Sequence, residues 1–128
     1  MATNNTGQTY TQEVLNLEEI DTVDELLAKL REGYHPGAVL GRLLRLEDIR
    51  ESTLADEIEL SRAMISQIVS NGRRITPETA HLLGAFFSRR GIKATTEDWA
   101  HAQLKVDLRR TLSEMRRKSG YLTEASAA

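Results

Sequence analysis

Helix punctuation at short intervals constrains this chain more than any other feature. Start signals recur along it. Thr22 with Glu25 three residues on makes a capping box, and Pro36 suits a first helical turn after the His35-Pro36-Gly37 break. Ser61 is a capping residue, Thr76-Pro77-Glu78 combines cap, proline and carboxylate, and Thr95 or Thr96 precedes Glu97 and Asp98. Stop signals fall at Gly33, Asn71-Gly72 and Arg89-Arg90-Gly91. The intervals carry apolar residues at helical spacing: Val23, Leu26, Leu27 and Leu30; Val39, Leu40, Leu43 and Leu44, with Arg42 and Arg45 outward; Leu54, Ala55 and Ile58; and Leu82, Leu83, Phe86 and Phe87. No strand alternation and no internal repeat interrupts them, so the predicted fold is all-α.

The 128 residues suit one domain with an appended arm. Residues 1–33 read as an acidic N-terminal extension with one helix, residues 34–118 as the main domain, and residues 119–128 as a flexible tail. Residues 1–13 are polar and without period, which predicts disorder or an extended segment. Charge is divided along the same line. Residues 1–32 hold seven acids and two bases, a net −5, so the total of −2 leaves +3 for the remainder. A mildly basic body could meet phosphates, and the acidic arm could meet a basic partner, meet the body, or remain solvated. No run approaches the roughly 20 apolar residues of a membrane span. The opening MATNNTGQTY lacks the features of a secretory signal and cysteine is absent, so a cytoplasmic location is expected.

Two short helices, about Glu51–Ile58 and Arg62–Ser70, are separated by Glu59-Leu60-Ser61, the length and chemistry of the turn in a helix-turn-helix. Leu60 can plug the gap between them, and the small Ala55 allows close approach. Stepping about 100° per residue with Ile65 inward also turns Ile68 and Val69 inward and leaves Ala63, Ser66, Gln67 and Ser70 outward. That short, polar surface fits a major groove about 12 Å wide. Gln67 can pair with adenine in a bidentate way, Ala63 can touch a thymine methyl, and Arg62 can reach guanine or phosphate. Ser61, Ser70, Asn71, Arg73 and Arg74 surround the helix ends, where phosphate positioning is their natural role. The alternative is a plain surface helix followed by a basic loop.

Several segments together resemble a known family. They are His35-Pro36-Gly37-Ala38-Val39-Leu40, Leu54-Ala55, Ile68 to Thr76, Thr79-Ala80, and Trp99 with Gln103-Leu104 and Asp107-Leu108. In these the chain resembles the HigA-type antitoxins, within the lambda-repressor-like helix-turn-helix regulators. The resemblance covers about residues 34–108. It implies a five-helix domain that dimerises on a palindromic operator, represses its own operon and neutralises a small mRNA-cleaving toxin. Base reading would then fall to Arg62, Ala63, Ser66 and Gln67, and phosphate contacts to Asn71–Arg74. The chain departs from the wider group in three places. Glu51 stands where a phosphate-contacting glutamine is common, with Arg50 at the preceding cap position. The segment carrying Arg89, Arg90 and Lys93 is longer and basic. Residues 1–33 are an extension.

The last predicted helix, reaching to about Lys118, is apolar on two sides. Trp99, Ala102 and Val106 form one stripe; Leu104, Leu108, Leu112 and Met115 form another, roughly opposite. The second stripe is the expected dimer interface, matching half-sites about 34 Å apart. The alternative is that the N-terminal arm folds back over it. The arm's own stripe is expected to pack on the domain, leaving its acidic face for a basic toxin. Two rival functions are a stand-alone repressor without a toxin and a protein-interaction module, the latter favoured by Glu51 and the negative total charge. Nothing points to an enzyme. His35, His81 and His101 are scattered, which argues against a metal site, and no phosphate loop or nucleophile motif occurs, so no cofactor is expected. His35 reads as a turn residue, and Glu18-Glu19 as part of an exposed segment.

Overall fold

The capping residues mark helix boundaries in the computed structural model, which describes residues 6–118. These residues form seven α-helices and no strand: α1 (Thr6–Leu17), α2 (Val23–Glu32), α3 (Pro36–Leu46), α4 (Glu51–Ile58), α5 (Arg62–Asn71), α6 (Pro77–Ser88) and α7 (Thr96–Lys118). The protein is all-α across them. The tail expected over 119–128, and residues 1–5, lie outside the described residues. Among the described residues, no helix is long and apolar enough to cross a membrane.

Local chemistry accounts for the boundaries. Thr22, Ser61 and Thr76 each accept a hydrogen bond from the backbone N–H three residues on, at Glu25, Met64 and Thr79. Thr95 and Asp98 cap reciprocally, each backbone N–H donating to the other's side chain at 3.1 Å. Thr95 is therefore the cap of α7, and Thr96 its first residue. α2 ends at Gly33, whose left-handed φ of 103° lets its N–H reach back to the last carbonyls. α4 has no side-chain cap: Arg50 occupies that position, and Glu51 sits in the first turn, where the helix dipole suits a carboxylate.

The core joins all seven helices through one cluster. α3 is its axis, packing against α1, α2, α5 and α7, while α6 lies along α7 and touches α4. Val39, Leu40, Leu43 and Leu44 of α3 are buried, as are Leu54, Ala55 and Ile58 of α4 and Ile65 and Ile68 of α5. Trp99 is fully buried, stacked on Phe87 with centroids 5.8 Å apart, and its Nε1–H donates to the Ala94 carbonyl at 3.1 Å. Gly37 sets how closely α3 meets α5. A Cβ there would collide with the carbonyl oxygen of Ile68, a backbone atom that no rotamer change removes. Leu82, expected on the inner face of α6, is only half-buried.

The N-terminal arm departs from expectation. Residues 6–13 are helical within α1, where the polar, aperiodic sequence predicts disorder or an extended segment. The reason lies in long-range contacts rather than propensity. Tyr10, Val14 and Leu17 are spaced along one face, and Leu17 is fully buried while the other two pack against the core. Glu13, on the same side, is buried and accepts from the backbone N–H of His35 at 2.7 Å and meets His35 Nδ1 at 2.9 Å. His35 is thus the buried partner of α1 as well as the residue before α3. Leu26, Leu27 and Leu30 bury the stripe of α2 in the same core.

Arg42, expected outward, is only 14% exposed. Its guanidinium donates to the Ile20 carbonyl at 2.9 and 3.2 Å, because the connection between α1 and α2 folds across it. Glu18, from the segment expected to be exposed, does remain so, paired with Arg45 at 2.5 Å.

Candidate nucleic-acid interface

α5 presents the side chains that its helical projection places outward. Ala63, Ser66, Gln67 and Ser70 are exposed, with Arg62 and Asn71 at the two ends. Ile65 and Ile68 are buried, and Val69 is half-buried. The preceding turn has Glu59 in the left-handed region, φ 61°, with Leu60 packed against the core as the plug between α4 and α5. Ser61 faces solvent and caps α5, its Oγ accepting from Met64 N–H at 3.0 Å.

Three arginines flank this surface, and each has a partner. Arg62 lies 3.8 Å from the Asp56 carboxylate, with both side chains mostly solvated. Such an exposed pair is worth little and yields readily to a competing anion. Arg73 Nη1–H donates to Gln67 Oε1 at 2.5 Å. A residue read as a base contact and one read as a phosphate anchor therefore orient one another across the end of α5. Arg74 pairs with Asp107 of α7, and this contact holds the Asp107 carboxyl below the usual carboxylate range and raises the Arg74 guanidinium further.

α7 positions the loop after α5 through one row of residues. Trp99, Gln103 and Asp107 are four apart and lie on one side of the helix. Trp99 anchors the row in the core. Gln103 is buried; its Oε1 accepts from Ile75 N–H at 2.8 Å and its Nε2–H donates to Asp107 Oδ1 at 2.9 Å. Asp107 in turn holds Arg74. A chain of side-chain bonds thus runs from the buried face of α7 to the basic loop.

The last turn of α5 itself is held by α1. The Tyr10 hydroxyl donates to the Val69 carbonyl, and its ring lies against Gly72, which caps α5 with φ 69°. Burial pushes the Tyr10 hydroxyl pKa up to about 12, so it stays a donor at ordinary pH. Sequence reasoning missed this contact, although the spacing of Tyr10, Val14 and Leu17 carried the signal.

The basic segment after α6 is tied down rather than free. Arg90 stacks over Phe86, 3.9 Å from the ring centroid, and makes a two-pronged bond to Glu57 of α4 at 2.8 and 3.1 Å. Arg89 lies 3.9 Å from the same carboxylate.

The expected dimer residues project from the opposite side of α7 to Trp99. Leu104, Leu108, Leu112 and Met115 are 62%, 54%, 46% and 58% exposed. Neither α1 nor α2 covers them; α2 instead meets α7 through Arg31 with Asp98 and through Lys105 Nζ, which donates to the Arg31 carbonyl at 2.8 Å. Among the described residues, no group of three or more His, Asp or Glu is placed to hold a metal ion.

Comparison with known proteins places nothing beside this chain: no family model, curated protein or solved structure matches it.

Proposed function

We propose that this protein reads duplex DNA as a homodimer, with α4 and α5 as its helix-turn-helix and α3 to α7 as a five-helix, lambda-repressor-like domain. The observation that carries the reading is the outer face of α5. It is short, polar and solvent-facing over Ala63, Ser66, Gln67 and Ser70, and it is bordered by Arg62 and Arg73. A helix with this surface can enter a major groove and present Gln67 to an adenine edge. Arg73 and Asn71 meet the backbone, and Arg74 is shared between phosphate and Asp107. Self-association uses Leu104, Leu108, Leu112 and Met115. Glu97 in the first turn of α7 and Arg116 in its last turn, on the side of this stripe, favour antiparallel pairing, in which each end meets its opposite.

The test is a gel-shift titration with duplex DNA from upstream of the protein's own coding sequence, at two salt concentrations. Binding at low salt that weakens steeply as salt rises supports the reading. No retardation at low salt overturns it.

The second reading is antitoxin and autorepressor, as the resemblance implies. Its supporting observation is that α1 and α2 bury their apolar sides while Glu19, Asp21, Asp24 and Glu25 stay exposed, an acidic surface suited to a basic mRNA-cleaving toxin. Co-expression with a short adjacent open reading frame tests it. Toxicity relieved by this protein supports the role; toxicity indifferent to it overturns the role.

A further inference from the structure

α7 outruns the core, and its inward side changes chemistry where it does so. Up to Val106 that side carries the buried Trp99, Ala102 and Val106. Beyond Val106 the helix continues for roughly 18 Å at about 1.5 Å per residue. Over this stretch, Arg110, Ser113 and Arg117 follow on the same side at spacings of three and four. They face a groove of about 360 Å³ whose opposite wall is Asn71 and Gly72 at the end of α5, with Tyr10 and His35 beside them.

Both arginines are exposed, and among the described residues neither has a carboxylate within ion-pair distance. Arg109, by contrast, turns toward Glu13 at 3.9 Å. Glu114 is the one carboxylate lining the groove. Residues 109–118 as a whole carry five cations and that single acid. Two guanidiniums, a hydroxyl and the Asn71 amide therefore converge on one concave surface. This is donor chemistry matched to a phosphodiester: arginine supplies charge and paired N–H groups, and the small polar groups fill the remaining acceptor sites.

The location of the groove points to the same ligand. It opens at Asn71, where the outer face of α5 ends and Arg73 begins the basic loop. A DNA strand leaving the groove read by α5 passes this end. Arg110 and Arg117, roughly two turns apart on a rigid helix, extend the backbone contacts beyond the loop.

We propose that the groove between the last turns of α7 and the end of α5 is a phosphate-binding site for the DNA backbone, with Arg110 and Arg117 as its cations. This rests on the DNA-binding reading above.

The experiment measures affinity for the upstream duplex against salt, using the full chain, the double variant Arg110→Gln/Arg117→Gln, the double variant Arg110→Lys/Arg117→Lys, and Lys93→Gln as a control remote from the groove. Melting curves verify that each variant folds. The glutamine pair is expected to flatten the plot of log affinity against log salt by about 3.6 for the dimer, since two cations are lost from each protomer and each phosphate no longer neutralised lowers the slope by about 0.9, without changing base preference. The lysine pair is expected to keep most of the slope, and Lys93→Gln all of it. A folded glutamine pair with the full chain's slope overturns the groove and leaves α5 standing. If the full chain itself fails to bind, the DNA reading falls and the groove falls with it. Loss of base preference rather than slope also overturns the proposal, because a backbone contact carries no sequence information.

Discussion

At the scale of single residues, the site depends on polar side chains that hold other side chains. Asp107 is the clearest case. It occupies the guanidinium of Arg74 and is itself held by Gln103. Replacing it with Asn frees Arg74 and removes a carboxylate from beside the proposed backbone path. Asp107→Asn is expected to tighten binding to all duplex sequences alike, by about 1 kcal/mol or roughly fivefold at low salt, a magnitude set by the modest worth of an exposed ion pair. Fluorescence anisotropy with specific and unrelated duplexes checks this. The same change alters stability against pH. Because the folded protein holds the Asp107 carboxyl below its usual range, the pair's contribution is present above about pH 4, the unfolded value, and is lost as pH falls through the folded value. Denaturant titrations from pH 6 downward are expected to show a shallower acid loss for Asp107→Asn. The residues read from the sequence as base or phosphate contacts face solvent because helical periodicity fixes which side each occupies. That Arg74 answers to Asp107, and Arg73 to Gln67, is not legible there. Those partners are set by how α5 meets α7 and by side-chain torsions, and neither leaves a trace in local pattern.

At the scale of helices, legibility follows the caps. Thr22, Ser61, Thr76 and Gly72 are local devices, and each stands at a helix end in the structure. α1 has no comparable signal. It is helical because Tyr10, Glu13 and Leu17 find partners on α3 and α5, tens of residues away, and its one local trace is the helical spacing of Tyr10, Val14 and Leu17. α7 is legible in a different way. Its two apolar stripes are visible as periodicity, and one remains uncovered among the described residues. Four large apolar side chains facing water on one helix need a partner to lower the cost of exposure. Leu108→Ser with Leu112→Ser is expected to convert a concentration-dependent dimer to monomer, measured by light scattering after size exclusion, with the helical circular dichroism retained. A wild-type chain that stays monomeric at high concentration would contradict the proposed use of this stripe.

At the scale of the whole molecule, the arm and the domain share one core, and the C-terminal end of α5 is braced from two sides by distant parts of the chain. Tyr10 of α1 grips the C-terminal end, and the Trp99–Gln103–Asp107 row of α7 holds the loop that follows. A helix held in this way can present Gln67 and Ser66 in a fixed direction, which sequence reading requires. The most direct measurement of that claim is selection of bound duplexes from a random pool, run with the full chain and with Gln67→Ala. The predicted result is enrichment of a palindrome with half-sites about one helical turn apart, and relaxation at one position per half-site in Gln67→Ala, worth about 1–3 kcal/mol. An unenriched pool, or an identical enriched sequence with Gln67→Ala, would contradict it.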